Sequence, residues 1–144
     1  MLDLRIKDLF FDTRAVRRRV DHATRAVLSR FGAFVRRTAR SSIRKRKRIS
    51  EPGSPPSSHT GLLKKFIFVG YDPKKNSVVI GPARLSGSAR GQAPGLLEYG
   101  DSTTLTRSGQ RRRVTIRARP FMGPAFDKEL PKLPSLWRDS VIRP

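Results

Sequence analysis

The sequence predicts an α+β domain in which a long N-terminal amphipathic helix packs on a small, mostly antiparallel sheet of three to five strands, with a C-terminal helix. Three observations carry this expectation. From Thr13 to Ile43 apolar residues recur every three or four positions, the period of a helix with one buried face. Over about residues 62–118, short runs rich in Val, Ile, Phe and Thr are separated by Gly, Pro and Asn, as in strands joined by turns. From Pro124 the pattern turns helical again with proline in the first turn. The order helix, strands, helix is that of an α+β fold.

The 144 residues suit one domain, 1–144, built around one core. Leu, Ile, Val and Phe number 37 of the 144, enough for a chain this charged to collapse, though around a thin core. There is no cysteine, so neither a disulfide framework nor a thiolate site is expected. No apolar run approaches the roughly 20 residues that span a bilayer, and Met1–Asp8 lacks a secretory signal's apolar stretch. The expectation is a soluble protein made in the cytoplasm, without a membrane partner. Its formal charge is +21, which attracts polyanions or acidic proteins. Residues 1–48 alone hold 16 basic and 4 acidic side chains, net +12.

Taken in order, Leu4-Arg5-Ile6 alternates like a short edge strand, although a helical extension through Leu9 and Phe10 fits nearly as well. Asp12 is the expected N-cap of a helix over about 12–45. Val16, Val20, Ala23, Val27, Phe31, Val35, Ala39 and Ile43 form its apolar stripe, opposite Arg17, Arg18, Arg25, Arg36, Arg40 and Arg44. Gly32 in mid-pattern costs about 1 kcal/mol against alanine and argues against a straight helix there. The block Arg44-Lys45-Arg46-Lys47-Arg48 leads into a Pro-rich loop over about 50–60. Leu63–Tyr71 and Ser77–Ile80 read as a β-hairpin joined by Asp72–Asn76. Residues 83–94 read as loop, Leu96–Gly100 as a strand or one helical turn, and Asp101–Gln110 as polar loop. Arg112–Ala118 alternates as a half-buried strand. The C-terminal helix, over about 123–142, is broken into two pieces by Pro131 and Pro134.

Nothing in the chain has the arrangement of a catalytic centre, so an enzyme is not expected. His22 and His59 have no second ligand at metal spacing, and no metal is expected. Ser57-Ser58-His59 places hydroxyls beside an imidazole without an orienting acid, and reads as turn chemistry. The carboxylates are scattered among Arg and Lys, as for salt bridges rather than paired acids. Gly87, Gly91, Gly95 and Gly100 match no phosphate or dinucleotide motif, so neither a cofactor nor a small-molecule substrate is expected. The basic block suits sequence-independent phosphate binding, yet no zinc finger, aromatic RNA-binding ribbon or helix-turn-helix accompanies it. A solvated helix end is the plain alternative.

Three stretches, in order, carry a resemblance. They are Pro55-Pro56-Ser57-Ser58-His59-Thr60-Gly61-Leu62-Leu63, then Gly95-Leu96-Leu97-Glu98-Tyr99-Gly100, then Ala118-Arg119-Pro120-Phe121-Met122-Gly123-Pro124-Ala125-Phe126. Together they resemble the neck, or tail-completion, proteins of long-tailed double-stranded DNA bacteriophages, over nearly the whole chain. Each motif alone is weak; their order is what is specific. The family's T-G-x-L entry to the sheet falls on Thr60, Gly61 and Leu63, its E-Y-G segment on Glu98, Tyr99 and Gly100, and its R-P-F-x-x-P-A motif on Arg119, Pro120, Phe121, Pro124 and Ala125.

The resemblance implies a structural virion protein. Its subunits form a homo-oligomeric ring, commonly a hexamer, at the head–tail junction, between head-completion or connector and tail-terminator rings, around the DNA exit conduit. No catalytic residues come with it. The charge departs from this picture, since a ring multiplies +21 and a conduit gripping phosphates would slow ejection. Arg44, Lys45, Arg46, Lys47 and Arg48 are therefore expected to meet mainly acidic protein surfaces, with non-specific DNA contact secondary. The competing reading is a basic nucleic-acid-binding accessory protein, in which the helix and Arg111, Arg112 and Arg113 track phosphates. A nuclease is a remote third, lacking a His, Glu or metal constellation.

Overall fold

A computed structural model of the chain describes residues 12–83, 93–138 and 140–142. The strand expected at Leu4–Ile6, and most of the loop over 83–94, lie outside the described residues. Helix α1 spans Thr13–Ser42. Asp12 caps it as expected, its Oδ1 accepting from the Ala15 N–H at 2.9 Å. The helix stops before residue 45 because Ile43 turns extended, with φ −79° and ψ 113°. Beyond it the Ser58 N–H donates to the Arg44 carbonyl at 3.0 Å. Like charges along 44–48 also disfavour further helical turns.

The buried stripe of α1 is Ala23, Val27, Phe31, Gly32, Val35 and Ala39. Val16 and Val20 belong to the same stripe but remain 41% and 42% exposed, so the sequence pattern runs past the core. Against this stripe lies an antiparallel hairpin of β1 (Ile67–Asp72) and β2 (Ser77–Pro82), following a helical turn, α2 (Leu62–Lys65). Val69 pairs with Ile80 and Tyr71 with Val78, and opposed residues share a face. That face crosses α1 at Gly32. A Cβ built there would lie 2.5 Å from Val69 Cγ2 and 2.8 Å from Val78 Cγ2. The helix is continuous through Gly32; its missing side chain is what lets the hairpin approach. Arg36 Nε fastens the two, donating to the Ile67 carbonyl at 2.7 Å.

Helix α3 (Ala93–Tyr99) leads to a second antiparallel hairpin, β3 (Asp101–Arg107) with β4 (Gln110–Ile116). Helix α4 (Met122–Glu129), a 3₁₀ turn (Leu130–Lys132) and α5 (Leu133–Trp137) follow. Phe31, Val35, Ala39, Ile43, Ile67, Phe121 and Ala125 form the core, with Leu63, Ile80, Leu97, Met122, Leu133 and Leu136 packed around it. Phe31 meets Phe126 edge-on, with centroids 5.7 Å apart, a favoured aromatic arrangement.

The α+β architecture is as expected, with four local corrections. The strands form two separate two-stranded ladders rather than one sheet. Leu63–Lys65, expected as strand, is occupied by α2, with Phe66 as its C-cap, because Gly61 takes a left-handed φ of 78° and starts a helical turn. Asp101–Gln110, expected as loop, supplies β3, and its turn at Ser108-Gly109 has φ values of 49° and 81°, the type I′ geometry that suits hairpin twist. The ambiguous segment at Leu96–Gly100 is helical. The C-terminal helix is in two pieces, broken at Pro131, but ends at Trp137 rather than near 142.

Candidate functional site

Residues of the second and third motifs meet at one junction, built around the Glu98 carboxylate. Its Oε2 accepts from the Phe121 and Met122 N–H groups at 2.9 and 3.0 Å, and its Oε1 from Gly123 at 2.7 Å. These amides open α4, where the first turn has no intrahelical acceptors and a negative charge is favoured. No side chain adjacent in sequence caps this helix; a carboxylate from α3 does so. Gly100 makes the close approach possible. It ends α3 with φ 72°, its N–H donating to the Leu96 carbonyl at 2.9 Å, and a Cβ there would lie 2.9 Å from the Ala118 nitrogen.

Arg119 ties in the Pro-rich loop. Its N–H donates to Leu97 at 2.6 Å. Its Nε donates to the Ser50 carbonyl at 2.9 Å and its Nη1 to Arg117 at 3.1 Å. The Gly53 N–H returns a bond to the Ala118 carbonyl at 2.8 Å. Pro120 is half-buried beside Phe121, which is buried in the core. Gly61 donates to Ser58 Oγ at 3.0 Å, Thr60 Oγ1 accepts from Leu62 at 3.4 Å, and Leu63 packs on the core. Pro124 lies in the first turn of α4, bordering a shallow cleft with Pro55. Tyr99 is different: it stands 84% exposed.

The basic residues form a second region. Arg44, Lys45, Arg46, Lys47 and Arg48 are all exposed. They are an extended segment, not a helix end. Arg44 bridges Ser57 in parallel, and Arg46 Nε donates to Ser57 Oγ at 2.8 Å. Arg44 and Arg46 line an open polar cleft with Ser41, Ser42, Ser54 and Pro55. Ser41 also borders the next cleft, lined by Ala33, Arg36, Arg37, Arg40 and Lys64. The two make a continuous cationic band along the C-terminal half of α1. Among the described residues the only ion pair is Lys132 with Glu129, so the band has no carboxylate partner there. Sequence reasoning missed Arg37 and Lys64, which join the band only once α2 folds beside α1. Arg111, Arg112 and Arg113 stand elsewhere, on β4, all exposed.

Comparison with family models, with curated proteins and with solved structures returns no match. The geometry therefore carries the functional reading. Ser57 and Ser58 are engaged by Arg46 and Gly61, while His59 and His22 are exposed. Among the described residues no three His, Cys, Asp or Glu side chains gather as a metal site, and no helix is long and apolar enough to cross a membrane.

One carboxylate is chemically unusual. Glu129 is 3% exposed, accepting from Lys132 Nζ at 2.5 Å and from Thr38 Oγ1 at 2.6 Å. The lysine and threonine bonds hold its pKa below the usual glutamate value against the opposing effect of burial. Thr38 is on α1 and Glu129 ends α4, so the charge clamps the two helices.

Proposed function

We propose that the chain is a structural protein of a phage neck, forming a ring, commonly a hexamer, that joins the DNA-filled head to the tail and surrounds the DNA exit conduit. It is made in the host cytoplasm and resides at the head–tail junction of the virion. The observation that carries this reading is the Glu98 junction. Two of the motif stretches that resemble neck proteins, 95–100 and 118–126, bond to each other through Glu98 and Arg119, and Arg119 and Ala118 also bond the Pro-rich loop at Ser50 and Gly53, just before the first stretch. Motifs matched by chance have no reason to meet.

Unfilled apolar surface is consistent with burial completed against neighbours. Tyr99, Phe68, Val79 and Leu105 are each at least half exposed, and aromatic side chains are enriched at protein interfaces. The partners are copies of this chain and the head-completion or connector and tail-terminator rings on either side. The cationic band meets acidic surfaces of those neighbours, because exposed charges with no carboxylate partner among the described residues are neutralised on assembly.

Charge reversal of Arg44, Arg46 and Arg48 to Glu tests this reading. These side chains are exposed, so folding is expected to survive while head-to-tail joining fails. Unimpaired joining with altered DNA retention would refute the assignment of the band to acidic neighbours.

A further inference from the structure

The β3–β4 hairpin has no buried residue in either strand among the side chains described. Its register pairs Thr103 with Val114 and Leu105 with Arg112, and in alternation Ser102 with Thr115, Thr104 with Arg113, and Thr106 with Arg111. Opposed residues share a face. The first face is mixed: Thr103, Val114 and Ile116 are half-buried, while Leu105 and Arg112 are exposed. The second consists of Ser102, Thr104, Thr106, Arg111, Arg113 and Thr115, all exposed except the half-buried Ser102. It contains only hydroxyls and guanidinium groups.

We infer that this second face binds the sugar–phosphate backbone of duplex DNA, without regard to base sequence. Arginine, serine and threonine donors are what phosphate oxygens accept. A protein partner would need an apolar centre from which water is excluded, and this face has none. Arg111 and Arg113, two residues apart on one strand, are spaced by about 6.8 Å, close to two phosphate rises of about 3.4 Å along B-DNA. A seven-residue ribbon is about 23 Å long, and two strands together fit a major groove about 12 Å wide. The threonines are β-branched and lose little rotamer freedom on contact. The only carboxylate in the two strands, Asp101, is at the base and on the opposite face.

This goes beyond the ring reading and does not rest on it.

Anisotropy of a labelled mixed-sequence duplex, titrated with the full chain at several salt concentrations, tests the inference. R111Q/R113Q is expected to weaken binding equally across sequences and to flatten the slope of log affinity against log salt by about 2. R111K/R113K should keep the slope, and R112Q, on the other face, should leave it nearly unchanged. Far-UV circular dichroism checks that each variant folds. The inference is overturned if the unaltered chain has no measurable affinity, or if R112Q flattens the slope as much as R111Q/R113Q. It is also overturned if R111Q/R113Q leaves DNA binding and its salt slope intact; loss of polyglutamate binding in that variant would then make an acidic protein the ligand.

Discussion

Glu98 does at the residue scale what a local capping box does in most helices, but from 23 to 25 positions away. Replacing it with alanine leaves three amides at the start of α4 without their acceptor. Glu98→Ala is expected to lower unfolding stability by about 2 kcal/mol, and Glu98→Gln by less, because one acceptor oxygen survives without the charge. Urea denaturation of the two variants checks both the loss and its order. Glu129 supplies a pH dependence. Its carboxyl is held below the usual glutamate value in the folded chain, so it contributes stability that is full above the unfolded value and is lost as pH falls through the folded one. Glu129→Gln should therefore be less stable than the parent at pH 7, with the difference shrinking below about pH 5. Thermal melts across this range would reveal it. A difference that grows towards acid would contradict the assigned sign.

Helix α1 and the hairpin it carries show, at the scale of elements, how much of the fold is readable from pattern. The 3.6-residue period, the Asp12 cap and the turn between β1 and β2 are local signals, and the structure has all three. Strand β3 has no such signal, because Ser, Thr and Arg fill both sides of its alternation except at Asp101 and Leu105. Only the Ser108-Gly109 turn marks it. The meeting of Glu98 with Phe121, and of Lys64 with the arginines of α1, depends on tertiary folding that no spacing encodes. Gly32 is the clearest case. Its sequence cost as a helix residue conceals its use, since its missing side chain lets Val69 and Val78 close on α1. Gly32→Ala improves helix propensity by about 1 kcal/mol yet places a methyl where two valine methyls already sit. Net destabilisation by about 1–3 kcal/mol is expected from overpacking, relieved in part by Val69→Ala. Equal stability of Gly32→Ala and the parent would show that the hairpin does not press on the helix.

A thin core and an excess of basic charge define the whole molecule. The core runs along one side of α1 and under α4. The cationic band follows the later turns of α1, and the clefts that make it are lined by none of the residues of the β3–β4 hairpin. A monomer with this charge gains from neighbours of opposite sign, and its exposed Tyr99, Phe68 and Val79 gain from burial against another chain. The ring reading unites these features. Its most direct test is an electron-microscopy map of virus particles from the genome that encodes the chain. The account predicts density for this fold as a closed ring at the head–tail junction, with the Arg44–Arg48 segment against an adjacent ring. Particles whose junction is complete without this chain would contradict it.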